Sequence, residues 1–211
     1  MISPTHLEIL KQLFRLKLMD YDDLDDQDLK LPLSHSELLF QLQIMKENGL
    51  VLFDESEEII RHLQITDRGR SNLKVVLTGG AYDLIHSGHL KTLREAASNG
   101  NFLVVVVARD LTVRKRKRNP IHDENQRMEL LNELKIVNLA ILGHEDDHMI
   151  VVNKVKPDVV AIGSDQDHRM NQLKQQMERI GLANTEIVRL SSNLEGLSTT
   201  EVIQEILERF V

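Results

Sequence analysis

The sequence predicts an α/β protein with a doubly wound parallel sheet and a small additional domain at its N-terminus. Between residues 73 and 211, apolar strand-like runs alternate with helix-like segments, which is typical of a parallel sheet covered by helices on both faces. The run at residues 102–108 is almost wholly apolar, as central strands of such sheets are. Residues 1–72 instead show two amphipathic helices followed by two short strand-like pieces.

In the second domain, apolar runs rich in β-branched residues predict strands, and apolar residues at helical spacing predict helices. The strands are predicted at residues 75–77, 102–108, 137–142, 158–162 and 186–190, and the helices at residues 86–97, 123–135, 170–180 and 198–210. Ligands of such sheets bind at the carboxyl ends of the strands, near the point where the strand order reverses. The loops that follow the strands therefore carry the candidate functional residues.

The first domain is predicted to contain two helices and a hairpin. Ser3 or Thr5 caps the first helix, and Ser34 or Ser36 starts the second, which ends at Gly49. The order of helix, helix and hairpin resembles that of a winged-helix domain.

Charge and composition limit the possible partners. Residues 1–74 contain 9 Lys and Arg against 14 Asp and Glu, so they offer few cations for the phosphate contacts of DNA binding. Dimerisation, or packing on the second domain, is the expected role of the first domain. The whole chain of 211 residues has a formal charge of −7, no cysteine and no apolar run of membrane-spanning length. A cytoplasmic protein without disulfides, nucleic acid or membrane partners is expected.

The stretch at residues 73–93 carries the strongest functional signal. Its apolar run ends at Gly79-Gly80, where absent side chains let the backbone approach a ligand, and a helix starts after a short turn. Free N–H groups at a helix start favour an anion, and His86 and His89 lie on one side of the first turn. Two imidazoles in this context favour phosphate chemistry over the alternative, a chance pair of surface histidines.

The same stretch resembles the HxGH signature of the cytidylyltransferase-like nucleotidyltransferases, which usually reads GTFDxxHxGH. Here the letters are GAYDLIHSGH, with Ala81 in the place of Thr and Tyr82 in the place of Phe. The resemblance implies a Rossmann-like sheet and a catalytic role for His86 and His89. It also implies nucleotide contacts from the glycine turn and the residues after it, namely Gly79, Gly80, Ala81, Tyr82, Asp83 and Gly88.

Residues 109–118 form the densest basic cluster of this acidic chain. A solvated loop or a tether for polyanions is one interpretation of such a run. In the family that the chain resembles, a flexible lysine-bearing loop and an ExxR helix start occur in this order. By that resemblance, Lys115 and Lys117 approach the phosphates of nucleotide and acceptor, and Arg127 holds the triphosphate with its planar fork.

The segment Gly163-Ser164-Asp165-Gln166 ends the fourth predicted strand. As a bare turn it carries no specific signal. In the family that the chain resembles, a GxD segment at this place helps to read the nucleotide base, which implies contacts from Gly163 and Asp165.

The phrase EGLSTTEVI at residues 195–203 starts the last predicted helix. Ser198 and Glu201 have the spacing of a capping box. By resemblance to the family, the hydroxyls of Ser198, Thr199 and Thr200 and the helix N–H groups face the triphosphate. Several cytidylyltransferases have an arginine before this phrase, and Asn193 occupies that place here.

The sequence HEDDH at residues 144–148 has the residue types of a metal cluster. It follows the third predicted strand directly, so a solvated polar connection is the favoured interpretation.

The resemblance covers about residues 73–208 and implies in-line attack by an acceptor phosphate on the α-phosphorus of a nucleoside triphosphate, with release of pyrophosphate. The chain has no cysteine and no obvious nucleophile–base pair, so a covalent enzyme intermediate is not expected. Positioning and charge stabilisation then account for catalysis. Mg²⁺ is expected to bind through the nucleotide phosphates and water, and a homodimer is expected because relatives often form one.

The substrates are less well defined by the sequence. The segments at residues 107–110, 119–121, 140–143 and 163–166 most resemble archaeal FAD synthases, which transfer AMP from ATP to FMN. The phrase at residues 195–203 is closer to glycerol-3-phosphate cytidylyltransferases, which use CTP, and sugar-phosphate adenylyltransferases end similarly. FMN is narrowly favoured as the acceptor, and a nucleotide-sensing winged-helix regulator is the alternative from another class.

Overall fold

The computed structural model describes residues 2–21, 24–56, 59–116, 119–163, 170–191 and 199–210. The chain divides into an N-terminal unit, Met1–Leu73, and a C-terminal unit, Lys74–Val211. This division lies one residue from the domain boundary that the sequence predicts.

The N-terminal unit contains helices and one β-hairpin. Its elements are α1 (Pro4–Leu18), a short 3-10 helix (Asp26–Asp28), α2 (His35–Glu47), β1 (Val51–Ser56), β2 (Ile59–Ile65) and α3 (Asp67–Arg70). The side chain of Ser3 accepts a hydrogen bond from the His6 amide at the start of α1. Ser34 and Glu37 form a capping box at the start of α2, and the hydrogen bond from Ser34 lowers the pKa of Glu37. Of the predicted alternatives, Ser3 and Ser34 are therefore the caps.

The segment after the hairpin closes back on the end of α2. The Thr66 hydroxyl donates to the Gly49 carbonyl (2.7 Å) and accepts from the Gly69 amide (2.9 Å). A Cβ on Gly69 would lie 2.1 Å from the Leu50 carbonyl oxygen, so glycine is required at this close approach. The assignment of this unit to the winged-helix class stays a prediction.

The C-terminal unit contains a parallel sheet with helices between its strands. Its elements are β3 (Val75–Gly80), α4 (Ser87–Ala97), β4 (Phe102–Val107), α5 (Asp110–Arg116), α6 (Glu124–Asn132), β5 (Leu139–Leu142), α7 (His148–Val155), β6 (Val159–Ile162), α8 (Met170–Arg179), β7 (Glu186–Arg189) and α9 (Thr199–Phe210). The five strands are ordered β5-β4-β3-β6-β7, and every neighbouring pair is parallel. The predicted doubly wound α/β fold is confirmed.

The order of the strands defines where a ligand binds. From β3, at the centre of the sheet, the chain moves outward through β4 to β5 and then returns to β6 on the other side of β3. The strand order therefore reverses between β3 and β6. Sheets of this kind bind ligands beyond the carboxyl ends of the strands at such a point. The turn that carries the two histidines follows β3 directly.

Two connections differ from the sequence prediction. The basic run after β4, predicted as a flexible loop, is helical over α5, and the Asp110 amide at its start donates to the Glu124 carboxylate (2.7 Å). The connection after β5 contains the unpredicted helix α7, which Asp147 caps through the Met149 amide (2.8 Å). Both helices begin at carboxylates that satisfy their first N–H groups. Within the described ranges, none of the helices combines the length and the apolar character needed to cross a membrane.

Candidate active site

The turn between β3 and α4 brings both predicted histidines to the edge where the strand order reverses. His86 is the N-cap of α4, with an extended backbone (φ −136°, ψ 173°), and its side chain makes no capping hydrogen bond within the described residues. Gly88 is buried in the first turn. The His86 side chain therefore does not cap the first N–H groups of α4, and N–H groups at a helix start favour an anion.

The two imidazoles face each other. Their ring centroids lie 3.9 Å apart at an interplanar angle of 30°. Both ring nitrogens of His86 are buried and have no hydrogen-bond partner in the part of the chain that the structure describes. Burial lowers the pKa of His86 below its ordinary value, and the nearby carboxylate of Glu201 acts in the opposite direction. Glu201 lies in the first turn of α9.

Tyr82 packs against His89 and against Gly80. Its buried ring has its centroid 5.3 Å from that of His89, and its backbone is left-handed, with φ 52°. A Cβ on Gly80 would lie 2.9 Å from the Tyr82 ring, and a Cβ on Gly79 would lie 3.2 Å from the Val106 carbonyl oxygen. Packing inside the unit thus leaves little room for a Cβ at either glycine, besides the ligand approach that the sequence predicts.

Side chains also tie β3 to β6. Burial raises the pKa of Tyr82 above its usual range, and a hydrogen bond with Thr78 acts in the opposite direction. The buried Thr78 hydroxyl donates to the Ala161 carbonyl on β6 (2.9 Å). The two strands between which the order reverses are therefore joined near their carboxyl ends.

Asp83 is buried, and its carboxylate holds a neighbouring segment of backbone. Its oxygens accept hydrogen bonds from the amides of Ile121 (2.9 and 3.0 Å) and His122 (2.9 Å). The Asp83 carbonyl accepts from Nδ1 of His122 (2.8 Å), so Nδ1 carries the proton. Sequence reasoning assigned this carboxylate to the nucleotide, whereas the structure engages it with the segment before α6.

Arg127 requires a correction. It is predicted to hold the triphosphate, but its side chain is fully buried. Nε donates to the His122 carbonyl (3.0 Å), Nη1 to the Ala81 carbonyl, and Nη2 to the Ala108 carbonyl (2.8 Å) and the Asp110 carboxylate (2.7 Å). A guanidinium occupied in this way binds protein loops, so the predicted direct contact with the triphosphate is wrong for this residue.

The remaining predicted residues are only partly described. Lys115 is exposed on α5, which follows the carboxyl end of β4, and Thr200 is exposed in the first turn of α9. Gly163 directly follows β6. Outside the described residues lie Lys117, Asp165 and Ser198, together with the side chain of Thr199.

Sequence reasoning missed three contributors to the site, namely Thr78, Asp110 and His122. One signal could have identified Asp110. It is a carboxylate that closely follows a buried strand, where α/β sheets place functional groups. Thr78 and His122 carry no comparable signal, since each contacts a residue distant in the chain.

The acidic connection after β5 is a turn. Nδ1 of His144 accepts from the amides of Asp146 (3.3 Å) and Asp147 (3.2 Å). In the described ranges, no group of three or more His, Cys, Asp or Glu side chains is arranged to hold a metal ion.

The fold and the site together define a class: a nucleotidyltransferase whose paired histidines stand at the N-terminus of the helix after its central strand. Residues 77–205 match the model of the Cytidylyltransferase-like family, and the chain belongs to that family. Among its relatives is the FAD synthase of Thermoplasma acidophilum, 45% identical over 64% of this chain and 98% of that protein. The FAD synthase of Methanopyrus kandleri is 42% identical over 64% of this chain and 93% of that protein.

A solved structure gives the same picture of the C-terminal unit. It is described as a lipopolysaccharide core biosynthesis protein from Thermoplasma volcanium, and it is 43% identical to this chain. The match has a TM-score of 0.55 and covers 58% of this chain and 99% of that one.

Proposed function

We propose that the protein transfers AMP from ATP to FMN, forming FAD and pyrophosphate. The observation that carries the proposal is the facing imidazole pair at the start of α4, with the ring nitrogens of His86 buried and unpartnered among the described residues. Buried polar groups normally have partners, so these nitrogens are consistent with a polar ligand. The choice of ATP and FMN is supported by two relatives named FAD synthase, of which the chain covers 98% and 93%.

The chemistry follows from this placement. An oxygen of the FMN phosphate attacks the α-phosphorus of ATP, a new P–O bond forms, and the bond from the α-phosphorus to the oxygen bridging it to the β-phosphorus breaks. Charge then spreads over the phosphate oxygens. His86 and His89 donate hydrogen bonds to these oxygens, and the N-terminus of α4 adds its partial positive charge.

Other predicted residues complete the proposal. Lys115 and Lys117 approach the phosphates of nucleotide and acceptor, and Ser198, Thr199 and Thr200 face the triphosphate from the start of α9. Gly163 and Asp165 contact the base after β6. Mg²⁺ enters bound to the nucleotide phosphates and shields their charge.

The proposal also includes a homodimer and a winged-helix class for the N-terminal unit. That unit is not assigned to DNA, because acidic residues outnumber basic ones in residues 1–74. Light scattering of the purified chain measures the oligomeric state directly, and salt-sensitive retention on DNA would contradict the assignment of the N-terminal unit.

The test is a matrix of substrates. Purified protein is incubated with ATP or CTP against FMN, glycerol 3-phosphate and a sugar phosphate, and pyrophosphate release is recorded together with FAD by chromatography. We expect turnover with ATP and FMN and little with the other pairs. Turnover with CTP and glycerol 3-phosphate, in the absence of FAD formation, would discard the proposed substrates and keep the reaction class.

A further inference from the structure

The fully buried guanidinium of Arg127 joins three separate segments at the carboxyl edge of the sheet. It reaches the Ala81 carbonyl in the turn that leads to His86, and the Ala108 carbonyl and Asp110 carboxylate at the start of α5. Its Nε holds the carbonyl of His122, just before its own helix α6. One rigid planar group therefore sets the spacing of all three segments.

The buried carboxylate of Asp83 acts on the same region from the other side. It accepts the amides of Ile121 and His122, while Arg127 takes the carbonyl of His122. The backbone of segment 121–122 is thus held by two buried charged groups: Asp83 accepts from its N–H groups, and Arg127 donates to one of its C=O groups. Neither charge is left alone, because Asp110 lies 2.7 Å from the guanidinium and Asp83 is neutralised by backbone dipoles.

We infer that Arg127, with Asp83 and Asp110, forms a clamp that fixes the histidine turn relative to helix α5, and that Arg127 is a positioning residue for adenylyl transfer. This inference rests on the proposed function. The clamp connects the segment carrying His86 and His89 to the helix carrying Lys115, and both must meet one triphosphate. A displacement of about 1 Å between reacting groups can cost on the order of 100-fold in rate.

The clamp and direct phosphate binding make different kinetic predictions. A side chain that binds ATP in the ground state and the transition state alike raises KM when it is removed, with kcat unchanged. A positioning residue lowers kcat, because the bound nucleotide is held in the wrong geometry. The buried position of Arg127 favours the second pattern.

The experiment uses Arg127→Lys, which keeps the charge but cannot span three segments from one ammonium. We expect kcat with ATP and FMN to fall by about 10- to 100-fold, with KM for ATP changed less than about threefold. Asp110→Asn weakens one contact of the clamp and should give a smaller fall of the same kind. It also keeps the test valid should Arg127→Lys fail to fold. The fall in kcat of the double variant should be smaller than the product of the two single falls, since both substitutions remove the contact between Arg127 and Asp110.

Leu131→Ala is the matched control, because Leu131 is fully buried on the same helix α6 and its apolar side chain cannot form hydrogen bonds. It should lower the midpoint of thermal unfolding while leaving kcat per folded molecule near that of the unmodified protein. The inference is overturned by an unchanged kcat in Arg127→Lys, or by a rise in KM that accounts for the whole loss.

A readout without turnover separates this inference from the proposed reaction. Hydrogen exchange by mass spectrometry should show faster exchange at residues 119–123 in Arg127→Lys, because the Ile121 and His122 amides lose their fixed register with Asp83. Unchanged exchange there contradicts the clamp. Should the unmodified protein turn over no substrate pair, the proposed reaction fails, and the exchange data still decide on the clamp.

Discussion

The two units differ in what their buried polar side chains connect. In the N-terminal unit, the buried carboxylate of Asp26 pairs with Nδ1 of the nearby His35 (2.8 Å). In the C-terminal unit, Asp83 binds amides 38 and 39 residues away, Arg127 a carbonyl 46 residues away, and Thr78 a carbonyl 83 residues away. The buried carboxylate of the first unit thus has a partner nearby in the sequence, whereas the buried polar groups of the second join the strand ends where α/β sheets bind ligands.

This difference between the two units supports the proposed position of the reacting histidines. Asp83, Thr78 and Arg127 are buried polar residues with protein partners, as folded proteins require. His86 lies in the same turn as Asp83, yet neither of its ring nitrogens has a partner within the described residues. The satisfied polar network therefore holds the turn in place, and on the proposed function the His86 imidazole binds the substrate.

The largest expected effect comes from His89→Ala. On the proposed function, the His89 imidazole stabilises charge in the transition state, so its loss should lower kcat by about 100- to 10,000-fold. The fold should persist, because packing of the strands does not depend on this ring. Steady-state kinetics with ATP and FMN, together with circular dichroism, measure both quantities.

His144→Ala is the matched control for that variant, since His144 lies in an exposed turn. Its kcat should equal that of the unmodified protein. A near-normal kcat in His89→Ala would show that the histidine pair does not take part in catalysis. The proposed functional difference between the two units would then have no support.

An intermediate effect is expected from Gly69→Ala in the N-terminal unit. The added Cβ would lie 2.1 Å from the Leu50 carbonyl oxygen and 3.0 Å from the Ile65 side chain, so the backbone must shift. Overpacking of this kind costs about 1–3 kcal/mol in the free energy of unfolding. Denaturant unfolding measures the loss, and kcat per folded molecule should not change. A fall in kcat comparable to that of His89→Ala would show that the N-terminal unit takes part in catalysis.

The smallest expected effect concerns the pKa of His86. Burial lowers it from the ordinary 6.5, so between the lowered pKa and 6.5 the unfolded chain binds more protons than the folded one. The contribution of this group to stability is thus present above 6.5 and is lost as the pH falls through that window. Glu201→Gln removes the carboxylate that opposes the shift and should lower the pKa further, as measured by NMR titration of the imidazole. An unchanged pKa of His86 in Glu201→Gln would show that the carboxylate on α9 does not act on the histidine turn.

Local patterns were sufficient for the sheet and for the histidine turn, and insufficient where distant residues decide. Apolar runs such as residues 102–108 predict central strands, because a strand that is buried on both faces needs apolar side chains at nearly every position. The basic run is predicted as a loop, but its start is helical. The partner that stabilises this start, Glu124, comes from the next helix and is not part of the local pattern. Resemblance to the family assigns Arg127 to the triphosphate, yet its acceptors are carbonyls and a carboxylate that only the folded chain brings together.

The hydrogen bond from Thr78 to Ala161 has a consequence for the order of folding. It joins two residues 83 positions apart, and such distant contacts form only after much of the chain has been ordered. A nascent polypeptide released before residue 161 has every histidine of the turn but lacks the strand that completes the crevice. The proposed nucleotide site is therefore completed late in synthesis, after β6 has been made and has paired with β3.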